Sequence, residues 1–159
     1  MATNGEKAYE LHQKAIGETE GTGEWVEITQ ERINAFADVT EDHQFIHVDP
    51  EACKQMSPWG VPIAHGFLTL SLLTHLSASI PTPPERLEGI VMGVNYGFDK
   101  VRFVNPVKVG QKIRATSVLS AVEAKDASTL QATKTITVEI EGESKPALVA
   151  EWVTRLVYG

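Results

Sequence analysis

The sequence predicts an α+β protein in which a largely antiparallel sheet of about five strands wraps around one central buried helix. Apolar residues recur at helical spacing in the first half of the chain and alternate in the second. Three prolines in Pro81–Pro84 separate the halves, because proline removes a backbone donor and fixes φ. One helix, Gly66 to about Ser79, is apolar on nearly every side, as an enclosed helix must be. With 159 residues, 42% apolar and 22% charged, the chain is read as a single globular domain, residues 1–159, able to fold without disulfides.

Residues 1–24 read as an N-terminal extension, helical, without the apolar run of a secretory signal. Thr29 can cap a helix that buries Ile33, Phe36 and Ala37 and ends near Val39, with Ile28 as its hydrophobic staple. Asp49 followed by Pro50 opens a short helix through about Met56. Thr40 to Val48 is then a connection between helices. After the prolines, Ile90–Phe98, Val101–Val104, Lys112–Val122, Leu130–Ile140 and Ala147–Val157 read as strands. In the fourth, Leu130, Ala132, Ile136, Val138 and Ile140 share one face. Lys134 is the polar intruder on it.

The net charge of −7 and the scattered Lys and Arg residues argue against nucleic acid, which needs a basic stripe. Ile63–Leu76, the most apolar stretch, is too short and too often interrupted to span a bilayer. The lone Cys53 cannot form an internal disulfide, and a cytoplasmic setting is expected.

Glu41, Asp42, His43, His47 and Asp49 lie within nine residues. The plain reading is a solvated connection whose Asp49 caps the next helix. A metal reading starts from His43 and His47, four apart, but the zincin pattern needs Glu where Gln44 stands. A third reading is acid and base work, since a carboxylate and an imidazole five apart can reach one water. Such a pair needs a partner for developing negative charge. Gly66, in PIAHGF at a helix start, can bring a backbone N–H close to a ligand oxygen. His65 by itself reads as a packed core residue.

The runs FADVTEDHQFIHVDPEAC, GVPIAHGFLTLSLL and NYGFDKVRFVNPVKVG resemble the MaoC-like, (R)-specific enoyl-CoA hydratases, and most nearly their nodulation protein N-like subgroup, from about Ile28 onward. The resemblance implies a hot-dog fold and addition of water to a trans-2-enoyl-CoA, or the reverse dehydration. It implies that Asp42 and His47 activate one water, with Asp42 taking its proton, and that Gly66 offers its N–H to the thioester oxygen. Thr74 falls where related enzymes carry a small hydroxyl residue that touches substrate. The family's Asn and Pro are replaced by Gln44 and Phe45, which leaves the acyl pocket's shape and chain-length preference open. By the same analogy the protein is a homodimer and takes an acyl-CoA substrate, with no cofactor and no metal.

Two other readings stay open. A hot-dog thioesterase usually carries a carboxylate on the central helix, and Phe67–Ile80 contains none. A non-catalytic acyl-binding, nodulation-type accessory protein would keep the fold without the reaction. Lys100, Arg102 and Lys108 are candidates for a basic rim, and Tyr96 and Trp59 for an acyl tunnel, although strand-edge charge and ordinary core packing explain them equally.

Overall fold

The computed structural model describes residues 2–159. Helix α1 (Asn4–Lys14) starts at a reciprocal cap: the Glu6 N–H donates to the Thr3 hydroxyl, and the Thr3 N–H to the Glu6 carboxylate. The expected helical extension ends there. Gly17 turns the chain with φ +84°, and β1 (Thr19–Thr22) and β2 (Val26–Glu27) follow as short strands of the sheet. Segments of four and two residues are too brief to show alternation, so their sequences do not announce strands.

Helix α2 (Gln30–Thr40) begins where Thr29 caps it, its hydroxyl accepting from the Arg32 N–H, and both Ile28 and Ile33 are fully buried. Next come one turn of helix, α3 (Phe45–Val48), and α4 (Pro50–Met56), the latter capped by the Asp49 carboxylate on the Ala52 N–H. The central helix is broken rather than continuous, forming α5 (Gly66–Ser71) and α6 (Leu73–Ala78). The break at Leu72 follows Ser71, whose hydroxyl donates back to the Phe67 carbonyl, a bond that bends helices. A last short helix, α7 (Pro84–Leu87), precedes four long strands: β3 (Ile90–Phe103), β4 (Lys112–Ala124), β5 (Thr129–Ile140) and β6 (Leu148–Tyr158).

The sheet has six strands in the order β1-β4-β5-β6-β3, with β2 also on β4, and every pairing is antiparallel. The two strands expected at Ile90–Phe98 and Val101–Val104 are one. Asp99 and Lys100 mark a shift in register, one of three along β3, and such bulges bend a strand without ending it. This curvature wraps the sheet around α5 and α6, the hot-dog arrangement. Leu73 and Leu76 from α6 meet Ile113, Ile136 and Leu148 from the sheet in one core cluster, all fully buried or nearly so. Among the described residues no helix is long and apolar enough to cross a membrane.

Leu76 sits where the helix meets the sheet. Leu76→Ala should therefore cost about 2–5 kcal/mol, the usual range for an emptied core site, read as a lower urea midpoint at unchanged slope.

Candidate active site

Helix α2 ends at Glu41, whose φ of 62° makes it the one non-glycine residue with positive φ among those described. A left-handed residue of this kind costs about 1–2 kcal/mol and is tolerated as a helix stop. It turns the chain into Asp42, which is exposed. The chain then re-enters a helix at α3, where the His47 carbonyl accepts from the Gln30 side chain and the Ile46 carbonyl from the Ile63 N–H. His47 is 6% exposed.

The segment facing α3 is held from behind. Val109 N–H donates to the Pro62 carbonyl, and Ala64 N–H to the Val107 carbonyl. Ile63, fixed between them, turns its carbonyl to His47 Nδ1 at 2.7 Å. A carbonyl can only accept, so Nδ1 carries the hydrogen, and in the neutral ring Nε2 is bare. Burial lowers the His47 pKa and the nearby His65 adds to this, against opposite pulls from the Ile63 carbonyl and Asp42.

His65 reaches both groups. Its Nε2–H donates to the Asp42 carbonyl at 3.0 Å, and its ring stacks on that of His47 with centroids 3.8 Å apart, while Phe36 lies 4.9 Å away. One carboxylate oxygen of Asp42 and one ring nitrogen each from His47 and His65 lie within 4.8 Å of one another. The two imidazoles are inclined by only 23°, so their in-plane lone pairs lie in nearly parallel, stacked planes. His43, the other half of the metal reading, turns away to Asp38 at 2.8 Å on the surface. His65 is thus a packed residue, as its sequence suggests, and also a strut of the site. No motif ties it to Asp42, 23 positions away, so only the fold reveals the link.

His47 and Gly66 face a common cleft of about 240 Å³, with Thr69, Phe103 and Asn105 also in its wall. Asp42 is not in that wall and stands beside the two imidazoles. As the first residue of α5, Gly66 has no intrahelical acceptor for its N–H, and none elsewhere among the described residues. The position is also tight: a Cβ there would come within 2.9 Å of the Phe103 ring. Thr74 is exposed and lines a different, wider cavity of about 510 Å³ along the same helical path. Neither Tyr96 nor Trp59 lines either cavity; the Arg155 guanidinium lies 4.0 Å over the Tyr96 ring. Lys100 pairs with Glu151 and Arg102 donates to the Val101 carbonyl.

The MaoC like domain family matches residues 12–140, and the chain belongs to that family. It is 51% identical over 143 residues to 3-hydroxyacyl-thioester dehydratase Z of Mycobacterium tuberculosis (strain ATCC 25618 / H37Rv), covering 90% of this chain and 91% of that one. Nodulation protein N of Rhizobium leguminosarum bv. viciae is 50% identical over 140 residues, covering 87% and 84%. The fold is also that of the (R)-hydratase from A. caviae involved in PHA biosynthesis, with a TM-score of 0.68 at 24% identity over 87% of this chain and 94% of that one.

Two outcomes check the local geometry. Gly66→Ala should cost about 1–3 kcal/mol by overpacking, and most of that should vanish in a Phe103→Ala background, as a double-mutant cycle would read. His12 and His47 both have pKa values lowered chiefly by burial, so the unfolded chain takes up protons first. Stability is then fully present above the ordinary histidine value of about 6.5 and is lost as pH falls below it toward the folded values. His47→Gln should flatten that slope in urea titrations between pH 7.5 and 5.

Proposed function

We propose that the protein is an (R)-specific hydratase that adds water across the 2,3 double bond of trans-2-enoyl-CoA to give (R)-3-hydroxyacyl-CoA, or runs the reverse dehydration. One observation carries this reading: His47, with one ring nitrogen bare, and the unpartnered N–H of Gly66 share one cleft, and the Asp42 carboxylate stands within 4.8 Å of a His47 ring nitrogen. Family membership supports the reaction class, and a relative named for 3-hydroxyacyl-thioester dehydration supports addition or removal of water across C2 and C3.

In hydration, a water between Asp42 and His47 gives its oxygen to C3. His47 Nε2 takes one proton from it, because that nitrogen enters the reaction without one, and Asp42 accepts a hydrogen bond from the other hydrogen and so aims the water. This divides the labour differently from the expectation that Asp42 takes the proton. Negative charge moves through the conjugated system to the thioester oxygen, where the Gly66 N–H meets it. The imidazolium then returns its proton to C2, and atoms and charge balance with no cofactor or metal required. One oxyanion donor is worth about 2.7–4 kcal/mol, and positioned proton transfer contributes about 10²–10⁴ in rate. Thr74, in the wider cavity farther along the helix, contacts the acyl chain beyond the reacting carbons.

A homodimer also suits the molecule. Strand β3 is the sheet's edge and exposes Val91, Met92, Val94, Tyr96 and Phe98, which is an invitation to pairing unless a partner covers it.

Hydration of crotonyl-CoA, followed by loss of the conjugated thioester's absorbance, tests the reading. Asp42→Asn and His47→Gln should each lower kcat/KM by at least about 10², and the parent's acid limb should fall below pH 6.5, where His47 protonates and Nε2 is lost as an acceptor. Unchanged rates in both variants would remove the assigned roles. A parent inactive on enoyl-CoAs of every length would favour the accessory, acyl-binding reading instead.

A further inference from the structure

The wider cavity of about 510 Å³ has an unusual wall. Beside Ile80, Leu87 and Leu156 it contains two charged side chains, Glu20 from β1 and Lys134 from β5. Lys134 is the polar residue that interrupts the apolar face of its strand, and the fold explains it. Its Nζ lies 2.9 Å from Glu20 Oε2, which also accepts from the Ser117 hydroxyl at 2.6 Å, while Arg86 approaches Glu20 Oε1 at 3.4 Å. The Glu20 side chain is only 7% exposed, Arg86 13% and Lys134 27%. Burial alone would raise the Glu20 carboxyl's pKa, yet Lys134, Ser117 and Arg86 hold it below its ordinary value. His12, whose pKa burial lowers, and Tyr158, whose hydroxyl donates to the Arg86 carbonyl, are further titratable groups near the trio.

Two cations thus share one carboxylate, which gives the trio a net charge of +1, with Lys134 and Glu20 in the cavity wall and Arg86 outside it. The same wall holds two buried donors with no hydrogen-bond partner among the described residues, Ser77 Oγ–H and Trp152 Nε1–H. Buried donors left unmatched are costly, and an unmatched charge is costlier still. A plain alkyl end pressed into this cavity would strip water from them and offer nothing back. An anionic, acceptor-rich end would satisfy all three. The cavity lies along the central helix from the catalytic cleft: Thr69 is in one wall and Thr74 in the other, five residues or about 7.5 Å apart at helical rise.

We propose that this cavity receives the distal end of the acyl group and selects one that terminates in a carboxylate, which Lys134 binds with help from Ser77 and Trp152. The inference rests on the hydratase reading for the acyl-CoA class and adds the chemistry of the tail. Binding separates the two, since it can be read without turnover. Titration calorimetry with hexanoyl-CoA, 6-hydroxyhexanoyl-CoA and adipoyl-CoA compares a methyl, a hydroxyl and a carboxylate at equal chain length. Adipoyl-CoA should bind at least about tenfold more tightly than hexanoyl-CoA, the low end of what a charge-assisted hydrogen bond is worth.

Lys134→Met should reduce that preference to under about threefold. Ser77→Ala, which leaves every charge in place, should weaken adipoyl-CoA and not hexanoyl-CoA. Equal binding of the methyl and carboxylate tails by the parent would overturn the proposal, as would a preference untouched by either variant, or a hydroxyl tail bound as tightly as the carboxylate. A parent that prefers adipoyl-CoA but hydrates no enoyl-CoA would refute the hydratase reading and leave the tail preference standing. Hydration without tail preference would do the opposite.

Discussion

The hydrogen bond from His47 Nδ1 to the Ile63 carbonyl decides which nitrogen of the site is available. Among the described residues it is the one hydrogen bond made by the His47 ring. The carbonyl is fixed because the backbone on either side of it, at Pro62 and Ala64, is bonded to Val109 and Val107. Those bonds exist because the chain leaving β3 runs back past the entrance to the central helix before it enters β4. The sheet's curvature around α5 and α6 thereby sets the chemistry of one imidazole. His65 adds a second restraint by stacking on the His47 ring and holding the carbonyl of Asp42.

The molecule places its polar groups in two regions along one helix. At the α5 end they are few: an imidazole and a backbone N–H at a small cleft, and a carboxylate beside the imidazole. At the α6 end they form a buried charged cluster in the wall of a larger cavity. The charged cluster occurs where Lys134 interrupts the apolar face of β5, and it joins residues far apart in the chain, Glu20 and Lys134. An interior ion cluster is weak support for stability, because desolvation offsets much of the attraction. Its place in a cavity wall therefore asks for a role in binding.

Local signals carried much of this in the sequence. Thr29 and the Asp49–Pro50 pair mark helix starts because a cap needs only a side chain and its own backbone, and both form as read. The alternation in β5 fixes its buried face, since strand periodicity is a local property. Asp42, His47 and Gly66 stand out by residue type and spacing; His47 and Gly66 line one cleft, and Asp42 lies beside the imidazole, outside its wall. What sequence leaves hidden is non-local. The strand at Thr19–Thr22 exists through its pairing with β4, the break at Leu72 through a bond from Ser71 to Phe67, and the continuity of β3 through bulges that mimic an end. The meaning of Lys134 depends on Glu20, and the reach of His65 depends on Asp42. Neither partner is near in sequence. Thr74 was placed by resemblance on the central helix, and the fold puts it in the larger cavity, away from the reacting atoms.

The central claim is that the fold presents His47 with its hydrogen on Nδ1 and Nε2 bare. Long-range proton–nitrogen correlation NMR on protein labelled in its histidine rings reads that directly. The account predicts a neutral Nδ1–H tautomer for His47 at pH 7, persisting below the ordinary histidine value of about 6.5. A ring that carries its hydrogen on Nε2, or that is already imidazolium at pH 7, would contradict it.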